Sequence, residues 1–133
     1  MSAYERVPVE AQPQDVVAAV REAIKARGIR EYAVVDHGRD MRDAGAAGFE
    51  AWTLIFGNPA AGARLLAREL AAAVDIPLRL AVVRGSHGGS DIILRDMRTL
   101  LGEHHPAEAD AFNEVLRALA SRAREIATAG TAG

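Results

Sequence analysis

Two short stretches hold the residue types that chemistry needs. Asp36-His37 sets a carboxylate beside an imidazole, the pair that acid or base catalysis near neutral pH employs. Phe56-Gly57-Asn58-Pro59-Ala60-Ala61-Gly62 carries the G-x-x-x-x-G spacing of a phosphate loop. Ala63 and Arg64, however, stand where such a loop needs Lys and then Ser or Thr, so this is not a nucleoside triphosphatase loop. Pro59 also removes one backbone donor, although the free N–H groups of a first helical turn still suit a carboxylate or phosphate. The structural reading of the same stretch is an Asn58 cap, a Pro59 helix start and a Gly62 that permits close helix packing.

Adjacency weakens the first pair. Consecutive strand residues point to opposite faces, so Asp36 can orient His37 only if the strand has already ended there. Otherwise Asp36 fixes the loop that follows, as a cap on the turn from Gly38 to Asp43. The remaining histidines, His87, His104 and His105, show no metal-ligand spacing, and no metal or cofactor is expected. The absence of cysteine excludes disulfides, thiolate zinc sites, iron-sulfur clusters and thiol nucleophiles. Gly85 to Gly89 joins strand to strand without a following helix, which makes it a turn and not a dinucleotide loop. Ser86 and Ser90 flank that turn and do not occupy a nucleophile elbow.

The elements that position these residues follow from periodicity. Tyr4 to Val9 reads as a strand that Pro8 confines to an edge or a strand end. Val16, Val17, Val20 and Ile24 recur at helical spacing between Pro13 and Arg27, with Gly28 as a left-handed exit. Strands are expected at Glu31 to His37 and Ala51 to Phe56, joined by a loop from Gly38 to Glu50. If these two strands are antiparallel neighbours, His37 and Asn58 lie at opposite ends of the sheet, on the order of 15 to 20 Å apart at ~3.3 Å per residue.

A second helix is expected from Pro59 to about Val74, burying Leu65, Leu66 and Leu70. A hairpin of Leu78 to Arg84 and Asp91 to Arg95 follows, closed by the glycine-rich turn. A short helix from Met97 to Glu103 and a long one from Pro106 to Ala127 complete the chain, the latter with Phe112, Val115, Leu116, Leu119 and Ile126 on one face. The whole is one domain over residues 1 to 127, with a flexible tail from 128 to 133.

The strands share an unusual property. Trp52, Leu54 and Phe56 face one way and Ala51, Thr53 and Ile55 the other, yet neither set is plainly polar; the other strands repeat the pattern. Such a sheet calls for cover on both sides, from helices, a second copy of the chain or a ligand in a cavity.

Composition narrows the partners. A net charge of -2 and dispersed Lys and Arg give no basic stripe, so nucleic acid is not expected. No secretory signal pattern and no long uncharged apolar run is present, which predicts a cytoplasmic protein without a membrane partner.

The Phe56 to Gly62 segment, preceded by Asp36-His37 and followed by Ile76-Pro77-Leu78, resembles the family catalogued as domain of unknown function 302. The resemblance covers roughly Pro13 to His105. It implies an α+β fold similar to the TATA-binding-protein-like class: a curved, mainly antiparallel sheet of four to five strands in the order β-α-β-β-α-β-β, with helices packed on it. It also implies members that dimerise, and it brings no established activity, catalytic residue, substrate or cofactor. Two features depart from the family pattern: Ala63 stands where Thr often follows the glycine, and the long helix from Pro106 extends past the usual end.

The expectation that results is a homodimeric small-molecule-binding or accessory domain without catalysis. Its ligand, small and apolar or anionic, would meet Asn58, Gly57, Gly62, Trp52 and Phe56. The alternatives are an acid/base enzyme using Asp36 and His37, which requires both to face one pocket, and a structural interaction domain with no pocket at all.

Overall fold

The computed structural model describes residues 3–129. Strands β1 (Tyr4–Val9), β2 (Arg30–Asp36), β3 (Ala51–Gly57), β4 (Leu78–Arg84) and β5 (Ser90–Arg95) form one open antiparallel sheet in the order β1-β5-β4-β3-β2. The edges are β1, where Pro8 has no ladder donor to lose, and β2, which bulges between Glu31 and Ala33.

Helix α1 (Pro13–Ala26) connects β1 to β2 and presents Val16, Ala19, Val20, Ala23 and Ile24 as its buried stripe. It leaves through Gly28 at φ 68°, where any side chain would be strained. The hairpin turn likewise places Gly88 at φ 98° and closes through Gly85 N–H donating to the Gly89 carbonyl at 2.8 Å.

Three local expectations are corrected. The segment after β2 is not all loop: helix α2 (His37–Asp43) begins there, because Asp36 Oδ1 accepts the Arg39 N–H at 3.0 Å and nucleates the turn. The second helix does not reach Val74 in one piece. Helix α3 (Pro59–Arg68) stops at Glu69, whose backbone is extended at φ -154°, and a 3₁₀ turn spans Leu70–Val74. Leu65 is therefore buried and Leu66 half-buried, while Leu70 projects into solvent, 79% exposed. Finally, no tail begins at 128. After the short α4 (Arg98–Leu101), helix α5 (Pro106–Ala129) carries through Thr128, and the rest of the expected tail lies outside the described residues.

The buried stripe of α5 is Ala109, Asn113, Leu116, Leu119, Ala120 and Ala123, with Phe112, Val115 and Ile126 half-buried beside it. This stripe packs against that of α1, and both sit on one sheet face, closing a core over Leu54, Phe56, Leu80, Val82, Ile92 and Leu94. Each such fully buried aliphatic or aromatic side chain contributes about 1.5–3 kcal/mol.

The opposite face is different. Cross-strand partners share a face, so the row Val35, Thr53, Ala81, Ile93 and Arg6 lies on it, flanked by Ala33 with Ile55 and by Ala51 with Val83. None of these side chains joins the core. The long C-terminal helix thus shares its face with α1; on the second face the short α2 packs against β3 at one end, through His37 on Thr53, and neither α1 nor α5 lies over it. Among the described residues, no helix is long and apolar enough to cross a membrane.

Candidate functional site

The register explains where a site forms. Arg30 pairs with Gly57, so the exit of α1 and the start of α3 meet at one end of the sheet. Phe56, 0% exposed, is the last large side chain of β3 on the helix-covered face, and Gly57 then hands the chain to α3. Asn58 caps α3 through its Oδ1, which accepts the Ala60 N–H at 3.0 Å, and Pro59 occupies the first helical position. Because α3 buries only Leu65, it stands away from the sheet and leaves a cleft beneath it.

That cleft has a volume of about 800 Å³. Phe56, Gly57 and Leu78 come from the sheet; Asn58, Pro59, Gly62 and Leu66 from the α3 side; Ile29 and Tyr32 from the start of β2; Phe112 and Val115 from α5. Ala73 and the cis-linked Ile76-Pro77 complete the wall. A methyl group at Gly57 would lie 3.5 Å from both Pro77 Cβ and Tyr32 Cε2, and one at Gly62 3.6 Å from Ile76 Cδ1. These are ordinary contacts, so close helix packing does not require glycine at position 62; what the glycine leaves there is open cleft.

An ion pair and a carboxylate–histidine hydrogen bond tie the far end of α3 to the start of α5 and the residue before it. Arg68 donates to the Glu108 carboxylate, and the Glu69 carboxylate accepts from His105 Nε2. The His105 hydrogen bond, aided by the nearby His105 and His104 charges, holds the Glu69 carboxyl below the usual carboxylate range. Arg68 does the same for Glu108, again first through its hydrogen bond.

Of the residues expected to bind a ligand, Asn58, Gly57, Gly62 and Phe56 line the cleft. Trp52 does not. It shares the Phe56 face but sits four residues back along β3, opposite Val82 and Asp36. Asp36 and His37 are also elsewhere. Asp36 is spent on capping α2, and exposed His37 turns onto the open sheet face, where Nε2 and Thr53 Oγ1 are 2.7 Å apart in a hydrogen bond. Antiparallel pairing of β2 and β3 puts both at the end of the sheet away from Asn58.

Sequence reasoning missed Arg27, Ile29, Tyr32, Ile76, Phe112 and Val115, which reach the cleft from distant segments. The visible signal was modest: Phe112 and Val115 form one edge of the α5 apolar face.

A smaller polar recess lies between α4 and α5. There Asn113, 8% exposed, accepts the Met97 N–H through Oδ1 and donates to Asp96 Oδ1, both at 2.8 Å. Arg98 grips Asp110 at 2.6 and 2.8 Å. These bonds hold α4 to α5, and the Asn113 hydrogen bond lowers the Asp96 pKa. No group of three or more metal-ligating side chains occurs among the described residues.

Comparison with known proteins agrees with this architecture. No curated protein matches the chain. A crystal structure of an uncharacterized conserved protein, DUF302, from Bacillus stearothermophilus superimposes with a TM-score of 0.79 at 18% identity, covering 96% of this chain and 99% of that one. At that identity the likeness concerns the fold. The family model described as domain of unknown function DUF302 matches residues 5–126, well beyond the span to His105 that the motifs suggested. It takes in nearly all of α5, so the long helix is part of the family's extent and no appendage. The chain belongs to the DUF302 family.

Proposed function

We propose that this protein is a homodimeric binding domain for a small, predominantly apolar molecule held in the cleft beneath α3. The observation that carries this reading is the cleft of about 800 Å³, a size that suits a small organic ligand, walled by Ile29, Phe56, Leu66, Ile76, Leu78, Phe112 and Val115. A purely structural interaction domain gives no reason for such a cleft. An acid/base enzyme built on Asp36 and His37 needs both to face a pocket, and neither lines this one.

The dimer half of the proposal rests on the uncovered sheet face. Val35, Ile55, Ala81, Val83 and Ile93 make an apolar surface on the side opposite α1 and α5, suited to an isologous contact with a second copy.

The cleft is tested by titrating the neutral fluorophore N-phenylnaphthylamine. The wild type should bind it saturably, and Ala111→Trp, at an exposed α5 position on the cleft wall, should abolish binding without unfolding the protein. Undiminished binding by that variant would refute the assignment. Native mass spectrometry of protein taken directly from cells should in addition reveal a retained organic ligand.

A further inference from the structure

Every polar side chain in the cleft wall can donate a hydrogen bond, and one of them is a cation. Among the residues that line the cleft, Arg27 is the charged one and no Asp or Glu accompanies it. Arg27 follows the last residue of α1 and adjoins the Arg30–Gly57 pairing, which brings it to the same end of the sheet as Asn58. Arg21, earlier on α1, donates to Glu31, and Arg68 and Arg117 also hold carboxylates, whereas Arg27 has no carboxylate partner among the described residues. Asn58 has committed its Oδ1 to the Ala60 N–H, so what it offers a ligand is its Nδ2 donor. Tyr32 adds a hydroxyl.

The rest of the wall is hydrocarbon. The 3₁₀ turn that supplies Ala73 also leaves Leu70 and Val74 79% and 82% exposed, which extends apolar surface beyond the cleft. Arg27 and Asn58 are exposed, so they offer a ligand's polar end charged and neutral donors that a purely apolar molecule leaves unused, and a cation would be repelled by Arg27. A dianion would bring more charge than one guanidinium matches.

We infer that the ligand is an amphiphilic monocarboxylate, with its head group bound by Arg27 and the Asn58 amide and its apolar body lying beneath α3. This rests on the cleft being the binding site. A carboxylate meeting an arginine forms charge-assisted hydrogen bonds, which are about twice as strong as neutral ones and well matched in geometry.

The test displaces N-phenylnaphthylamine from the full-length protein with decanoate, decan-ol and decyltrimethylammonium, at a pH above neutral and low salt. Decanoate should bind at least about tenfold more tightly than the alcohol, and the cation more weakly than either. Arg27→Gln should bring decanoate and alcohol to the same affinity, and Arg27→Lys should restore part of the preference. Ala111→Trp, titrated directly with each amphiphile by calorimetry because it no longer holds the fluorophore, should bind all three more weakly.

Equal binding of decanoate and alcohol by the wild type, still blocked by Ala111→Trp, would overturn the head-group assignment and leave the cleft as the site. A decanoate preference that survives in Arg27→Gln would remove Arg27 from the assignment. Binding of none of the three, or binding indifferent to Ala111→Trp, would overturn the inference and the cleft reading together.

Discussion

The Glu69 carboxylate accepts a hydrogen bond from His105 across the break between α3 and the 3₁₀ turn. The contact spans 36 positions of sequence, and with the Arg68–Glu108 pair it fastens the roof of the cleft to α5 at one end only. The other end of α3 is set by Asn58 and the sheet. The roof is therefore held by polar contacts at its tip and by one buried leucine, Leu65, along its length.

This fastening should respond to acid. Both carboxyls have folded pKa values below their ordinary ones, Glu69 chiefly through the His105 hydrogen bond and Glu108 chiefly through Arg68. A depressed folded value means the stabilisation is complete above the usual carboxylate range and disappears as pH falls through the folded values. Thermal melts of the wild type and of Glu69→Gln/Glu108→Gln should differ at neutral pH, with the wild type the more stable, and converge on acidification below about pH 4. A gap that stays constant down to acid pH would show that the two carboxylates contribute nothing of this kind.

The helix caps separate stability from binding. Asp36 and Asn58 make equivalent bonds, each to a first-turn N–H at 3.0 Å, and replacing either with Ala should cost about 1 kcal/mol in urea unfolding. Only Asn58 lines the cleft. Asn58→Ala should thus weaken decanoate several-fold while Asp36→Ala leaves it unchanged. An equal effect of both on binding would mean that the loss travels through stability and not through the cleft.

How much of this was legible in the sequence depends on whether the signal was local. The strands could be placed because Val, Ile and Leu run together between turn residues, and their two-faced character was visible in Trp52-Thr53-Leu54-Ile55-Phe56. The start of α3 was equally plain, since Asn58-Pro59 is a cap and a helix start in two residues. For the same reason Phe56, Gly57, Asn58 and Gly62 proved to be neighbours in the cleft: they are consecutive in one strand-to-helix junction. The end of α3 was hidden, because Leu-Ala-Ala-Ala-Val suits a helix in isolation and the break at Glu69 is accompanied by a contact with His105 far along the chain. Helix α2 was hidden for a different reason. Its apolar content is too low for a periodic stripe, and Asp36 was legible as a cap but not as the cap of a helix. Trp52 was misplaced because sharing a face with Phe56 says nothing about which end of the sheet holds the cavity. Arg27, with no motif around it, becomes visible only when the Arg30–Gly57 register brings it to the same end of the sheet as Asn58.

Gly62 offers a substitution in which stability and binding should move in opposite directions. It lies inside α3 without a positive φ, and an added methyl group would meet only Ile76 Cδ1, at 3.6 Å. Gly62→Ala should therefore stabilise the protein, by up to about 1 kcal/mol, since glycine is the poorer helix former. The same methyl occupies cleft volume, so affinity for N-phenylnaphthylamine should fall. A variant that is less stable than the wild type would contradict the contact geometry at this position.

The uncovered sheet face makes the last prediction. Ile93 is the large aliphatic residue of β5 on this face, paired across the strands with Ala81 on one side and Arg6 of the edge strand on the other. Ile93→Glu puts a carboxylate into the apolar patch while giving it an opposite charge as cross-strand neighbour, so the fold of the single chain is spared. Two facing copies related by a twofold axis would each carry the new charge into the contact, and burying it unpaired there is costly. Light scattering at micromolar concentration should give twice the chain mass for the wild type and the mass of one 14.1 kDa chain for the variant. The wild-type melting temperature should also rise with protein concentration, as mass action requires of a folded dimer, and that of Ile93→Glu should not. A wild type that scatters as a single chain would remove the dimer from the proposed function. A variant that stays dimeric would move the contact to another surface, and the edge strand β2, with Tyr32 and Val34 exposed, would then be the surface to mutate.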